Sequence, residues 1–227
     1  MLSNVKKPAY AAHTEHARLK PTVMWLLRHG ETDWNVERRI QGWKGTHLNA
    51  LGQRQARLAA FRLKHIHFDA IYTSDILRCQ QTAQAVLKGR RGLKLLPLPE
   101  ARERSFGAWE GKRIEDILAS LGPSLSKRPR DPFMSSLPPK GESMAVFMAR
   151  MRRMLARLEK EQAGRTVLVV THGGPVRLAA CVASGVAWRK YYLFGRPGNT
   201  SLSCIMSQGR VRWVECYNDM AHLEVEP

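Results

Sequence analysis

The sequence predicts an α/β fold, a three-layer α/β/α sandwich around a mainly parallel mixed sheet with an antiparallel edge. Short β-branched runs of strand length alternate with longer segments of helical period, the pattern of a parallel sheet covered on both faces. The last two apolar runs are separated by a turn at Gln208-Gly209, a hairpin that requires an antiparallel edge. Hydrophobic residues make up 44% of a 227-residue chain, enough to bury one sizeable core.

Taken in order, the run around Val23-Met24-Trp25 gives a strand over 22–27, and helical spacing follows over 52–65. Ala70-Ile71-Tyr72-Thr73 forms a strand over 69–73 that breaks into a helix over 75–88, with Ser74 a fitting N-cap and Arg78 one turn in. A strand over 93–98 leads into a loop-rich insertion at about 112–141, rich in Ser, Pro, Lys and Arg. The helix from Ser143 to 161 is the clearest periodic element: Phe147, Met151, Met154, Leu155 and Leu158 share one side, and Arg150, Arg153, Arg157 and Lys160 another. Its methionines read as gap-filling core. A β-branched strand over 166–171, a helix over 175–184 and two strands near 200–206 and 211–216 complete the chain. One catalytic domain over 21–227 is expected, preceded by a disordered basic leader over 1–20 for which a transit peptide is the alternative.

No apolar stretch approaches the roughly 20 residues that cross a membrane, so a soluble, cytoplasmic protein without a membrane partner is expected. Cys79, Cys181, Cys204 and Cys216 lack paired spacing and read as buried free thiols, which suits a reducing compartment. With 37 basic and 19 acidic residues the chain carries a net charge of +18, so an anionic partner is expected. The basic residues are spread along the chain and the aromatics form no stacking platform, which argues against nucleic acid. A homodimer stays open.

The chemistry-bearing motifs sit where strands end. Arg28-His29-Gly30 follows the first strand, Ser74 and Arg78 follow the second, and Thr171-His172-Gly173-Gly174 closes the long β-branched run. Ligands of α/β sheets bind at such carboxyl ends. Arg-His-Gly, Ser-x-x-x-Arg-x-x-x-Thr-Ala, Glu-x-x-x-Gly-x-x-x-Gly and a late His-Gly occur here in that order. In this the chain resembles the histidine phosphatase superfamily, its phosphoglycerate mutase-like branch, over about residues 22 to 216. Where that family commonly has an aspartate and then a proline after Gln41-Gly42-Trp43-Lys44, this chain has Gly45 and His47.

Phosphoryl transfer asks for positioning and for cations around the equatorial oxygens. Arg28 and Arg78 offer planar donor forks matched to phosphate, His172 a further donor, Asn35 an amide, and Gly173 and Gly174 backbone N–H groups that approach an anion closely. The resemblance implies phosphate contacts for Arg28, Arg78, Asn35 and His172, and catalysis by His29, His172 and Glu103. His29 is the nucleophile, and its arginine neighbours lower its affinity for a proton and keep it neutral. The protonation of His172 stays open. Of Glu100, Glu103 and Glu110, the resemblance selects Glu103, four residues before Gly107, as the acid that protonates the leaving group. Glu110 fits a more structural place. Glu31 and Thr32 are expected to cap the loop or touch the phosphate's neighbours. The other histidines, His13, His16, His47, His65, His67 and His222, read as surface or satisfied-core residues.

No metal-ligand spacing appears, and no cofactor is expected. Only about thirty residues separate Gly111 from Gly141, similar to the family's phosphatases and shorter than in its mutases. The expected function is metal-independent hydrolysis of a small anionic phosphomonoester through a phosphohistidine. The alternatives are mutase-type phosphoryl transfer and a non-catalytic protein that binds a phospho-ligand or nucleic acid.

Overall fold

A computed structural model of the protein describes residues 20–121 and 136–224. The expected leader, but for Lys20, and the middle of the expected insertion, residues 122–135, lie outside the described residues. Within them is one six-stranded sheet: β1 (Thr22–Arg28), β2 (Ala70–Thr73), β3 (Leu95–Pro97), β4 (Thr166–Thr171), β5 (Leu202–Gln208) and β6 (Val211–Asp219), in the order β3-β2-β4-β1-β5-β6. The first four run parallel, and β5 and β6 add the antiparallel edge.

Strand alternation divides the core between two faces. Met24, Leu26, Tyr72, Val167 and Val169 point to one side, where they meet α5 (Met144–Glu161) and α6 (Gly173–Ala183). Leu27, Ile71, Leu168 and Val170 point to the other, against α2 (Ala50–Leu63) and α3 (Leu77–Leu87). The α5 stripe is wholly buried: Phe147, Met151, Leu155 and Leu158 are at 0% exposure, each a contribution of about 1.5–3 kcal/mol.

Several boundaries differ from the sequence expectation, each for a local reason. Gln208 pairs with Val211, so the hairpin loop is Gly209-Arg210, one residue later than expected, and Gly209 takes a φ of 62° that a glycine tolerates. Ser74 does not cap α3: the cap residue is Ile76, without a side-chain bond, and Arg78 lies at the second helical position instead of one turn in. Asn49 caps α2 by accepting the Gly52 N–H at 2.8 Å, which starts that helix two residues early. The described start of the insertion is a helix, α4 (Ile114–Ser120), and not loop. A short helix after β1, α1 (Asp33–Val36), falls below the length that periodicity detects. Its cap is a reciprocal box between Thr32 and Asn35.

Arg150, expected on the solvent side of α5, is 9% exposed. Its charge is met by Glu142 and by three backbone carbonyls that no sequence pattern announces. The cysteines are free; Cys79, Cys181 and Cys204 are buried and Cys216 half-buried. No helix of the described residues is long and apolar enough to cross a membrane.

Candidate active site

The site is assembled by register. Arg28 of β1 pairs with Thr171 of β4, so the next residue on each strand, His29 and His172, emerges beside the other with ring centroids 5.3 Å apart at 64°. The neighbouring strand β2 delivers Ser74 and Arg78, and the segment beyond β3 delivers Glu103. Four parallel strands thus empty into one pocket of about 170 Å³. Arg28, His29, Asn35, Arg78, Glu103 and Gly173 all line it, so six of the seven residues singled out in the sequence converge.

His29 is buried, with Nδ1 2.7 Å from the Gly30 carbonyl. A carbonyl only accepts, so Nδ1 carries the hydrogen and Nε2 keeps its lone pair. Burial, then the charges of Arg78 and Arg28, hold the ring well below the usual histidine range, against a smaller opposite pull from the Gly30 carbonyl. The ring is therefore neutral near pH 7. Gly30 fits only because it lacks a side chain: a Cβ there would lie 2.4 Å from the Gly52 carbonyl oxygen.

His172 is neutral too, and its tautomer is fixed by a different partner. Arg78 Nη2 lies 3.0 Å from Nδ1, and an arginine only donates, so Nδ1 accepts and Nε2–H donates to Ser74 Oγ at 2.9 Å. Burial, followed by the charge of Arg78, pushes its pKa well below the histidine range. In this geometry the ring of His172 is turned toward Arg78 and Ser74. Both ring nitrogens are engaged, the residue is fully buried, and what it holds is the Arg78 guanidinium.

Arg78 donates to the carbonyls of Gly42 and Lys44, each at 2.8 Å, and so pins the loop that carries Gly45 and His47. Arg28 donates through Nη1 to the Pro197 carbonyl. The Nε–H groups of Arg28 and Arg78 are both buried and have no hydrogen-bond partner. Burial lowers both guanidinium pKa values, that of Arg28 to about 10, which leaves it a cation at neutral pH. Buried donors without acceptors are costly, and an anion in the pocket would relieve them.

Asn35 turns its oxygen to the Thr32 N–H at 3.1 Å, so the group it can offer the pocket is its amide nitrogen. Glu103 accepts from the Arg104 N–H at 2.8 Å and the Gly174 N–H at 3.0 Å, which sets its carboxylate across the pocket from the β1 end. Glu110 instead holds the N–H groups of Trp43 and Phe106, each at 3.0 Å, the structural place expected for it. Thr32 caps α1, and Glu31 accepts from Asn49 at 3.0 Å.

Sequence reasoning missed several contributors. Arg150 donates to the carbonyls of Glu100, Arg102 and Glu103 and forks onto Glu142, so it shapes the segment bearing Glu103. Asn199 steadies the His29 carbonyl at 3.1 Å. Arg39, Arg177 and Arg196 line the same pocket. None of them stands in a motif, and only the fold shows that they meet.

A basic pocket at the carboxyl edge of a parallel sheet, with a neutral imidazole against two buried guanidinium groups, defines an α/β protein whose site suits an anionic ligand. The comparisons name the family. The chain belongs to the histidine phosphatase superfamily, branch 1, whose family model matches residues 24–220. It is 30% identical over 198 residues to phosphoserine phosphatase 1 of Hydrogenobacter thermophilus, which covers 87% of this chain and 92% of that one. It is 31% identical over 206 residues to phosphoglycerate mutase-like protein 4 of Arabidopsis thaliana, covering 88% and 86%. The solved structure of Bacillus stearothermophilus YhfR superposes with a TM-score of 0.80 at 30% identity, over 89% of this chain and 99% of that one.

Proposed function

We propose that the protein hydrolyses phosphomonoesters, without a metal ion, through a phosphohistidine at His29. The observation that carries this is the tautomer of His29, with Nδ1–H held by Gly30 and the Nε2 lone pair left beside two arginines whose Nε–H groups lack acceptors. The lone pair attacks phosphorus, the bond to the leaving alcohol oxygen breaks, and that oxygen takes a proton from the Glu103 carboxyl. Water then attacks the phosphoryl group and gives a proton to Glu103, and the N–P bond returns its electron pair to His29. The Gly30 carbonyl stabilises the cationic phosphorylated ring through the Nδ1–H. Arg28, Arg78 and Asn35 hold the equatorial oxygens, Gly173 adds a helix N-terminal N–H, and His172 acts by holding Arg78.

The short span between Gly111 and Gly141 favours release to water over retention for a mutase cycle. Enzyme mixed with labelled p-nitrophenyl phosphate in excess chelator and quenched should carry base-stable, acid-labile phosphate. His29→Ala should carry none and turn over roughly 10³-fold or more slowly. Label on the alanine variant, or a strict need for one divalent cation, refutes the reading.

A further inference from the structure

Five arginines line the pocket, Arg28, Arg39, Arg78, Arg177 and Arg196, against the single carboxylate of Glu103. Arg39 is paired with Glu37, which lies beside the pocket. Glu103 and Glu37 offset part of this charge, and the contacts of the five set one guanidinium apart from the rest.

Contacts identify which one. Arg28 and Arg78 face His29 at the floor of the pocket. Arg39 is tied to Glu37 and to the Gly111 carbonyl. Arg177 is 8% exposed, donates to the Phe194 carbonyl at 3.0 Å and lies 4.2 Å from the Tyr191 ring centroid, so it braces the loop that follows. Arg196 is exposed at the pocket mouth and has no hydrogen bond or ion pair among the described residues.

The backbone around Arg196 is anchored on both sides. The Gly195 carbonyl accepts from Tyr217 Oη at 2.6 Å, the Pro197 carbonyl accepts from Arg28, and the Gly198 N–H donates to Asn218 Oδ1 at 2.7 Å. The backbone of Arg196, one residue from the carbonyl that Arg28 holds, is thereby held next to the pocket that Arg28 lines. Arg196 is close enough that its charge helps depress the Arg28 pKa. Ile40, Phe106 and Ile114 supply apolar wall, which suits a short carbon skeleton between two anionic ends.

We propose that the alcohol part of the substrate carries a carboxylate, and that the Arg196 guanidinium binds it at the pocket mouth; this rests on the phosphomonoesterase reading above. A planar fork matches a carboxylate in two parallel hydrogen bonds, and charge-assisted pairs of this kind are worth one to two powers of ten in discrimination. A substrate whose alcohol is neutral leaves that cation unmatched.

The test uses matched pairs that differ only in a carboxylate against a hydroxymethyl group: phosphoglycolate against 2-hydroxyethyl phosphate, and 3-phosphoglycerate against glycerol 3-phosphate. Wild-type kcat/KM should favour the carboxylated member of at least one pair by roughly 10- to 100-fold. Arg196→Met should bring that ratio toward one, mainly by raising KM for the carboxylated member. Arg210→Met, which removes the same charge from the exposed hairpin loop, should keep the wild-type ratio and so exclude general steering by the basic surface. A wild-type ratio near one, or one that Arg196→Met leaves intact, overturns the carboxylate while p-nitrophenyl phosphate turnover through His29 keeps the phosphatase reading. If no phosphomonoester is turned over, both fall.

Discussion

Two hydrogen bonds of opposite sense give the paired histidines opposite tautomers: the Gly30 carbonyl accepts from Nδ1–H of His29, and Arg78 donates to Nδ1 of His172. The neutrality of His29 was within reach of the sequence, because arginines beside a strand-end histidine disfavour the charged ring, but the hydrogen bond to Gly30 was not. Nor was the second bond, since it depends on a side chain ninety-four positions away. At this scale Glu103 is the residue whose chemistry is most exposed to test. Its two N–H partners orient the carboxylate, but its proposed work is to protonate a leaving oxygen. Glu103→Gln should therefore slow alkyl phosphates by about 10²–10⁴-fold and p-nitrophenyl phosphate far less, because nitrophenolate leaves without a proton. Equal losses on both would make Glu103 a positioning residue.

Among the elements, α5 shows how far periodicity reads and where it stops. Its apolar stripe was legible because a 3.6-residue repeat of large side chains has few other meanings. Arg150 was assigned to solvent by the same repeat, yet it lies against the Glu100–Glu103 segment with Glu142 as its partner. Periodicity ranks faces by hydrophobicity and cannot see a buried guanidinium whose charge is met by backbone oxygens. Ser74 failed for a similar reason: its hydroxyl fits a cap by local rules, but it serves His172 across the sheet. The Arg150 network makes a prediction. Arg150→Met leaves the Glu142 carboxylate buried and uncompensated and should cost about 3–5 kcal/mol in urea unfolding, while Arg150→Met with Glu142→Leu should recover part of that. A single variant within about 1 kcal/mol of wild type, the scatter of an ordinary substitution, would show that the network is not structural.

For the whole molecule, the fold class was legible and the strand order was not. Alternating runs and a terminal hairpin imply a mixed sheet, but nothing in them says that β4 lies between β2 and β1. The buried histidines also tie stability to pH. His29 and His172 titrate well below 6.5 in the folded protein and near 6.5 once unfolded, so below that value the unfolded chain binds more protons. Stability should be full above about pH 6.5 and fall as pH drops through the window beneath it, by about 1.4 kcal/mol per unit for each ring. Urea melts from pH 7.5 to 5 check this. His29→Asn should lose one ring's share of the slope, and an unchanged slope in that variant would show that His29 is not the source.

The sheet order also bears on how the chain is made. By the time residue 160 has left a ribosome, β1 and β2 exist but the strand that joins them does not, because β4 begins at Thr166 and pairs with both. Until then the apolar edges of two strands face a gap at the middle of the sheet, and His29 has no His172 beside it. Vectorial synthesis therefore delivers the keystone late. Those two strand edges therefore stay without their shared neighbour until residues 166–171 are made, the interval in which an unpaired edge is most open to wrong pairing.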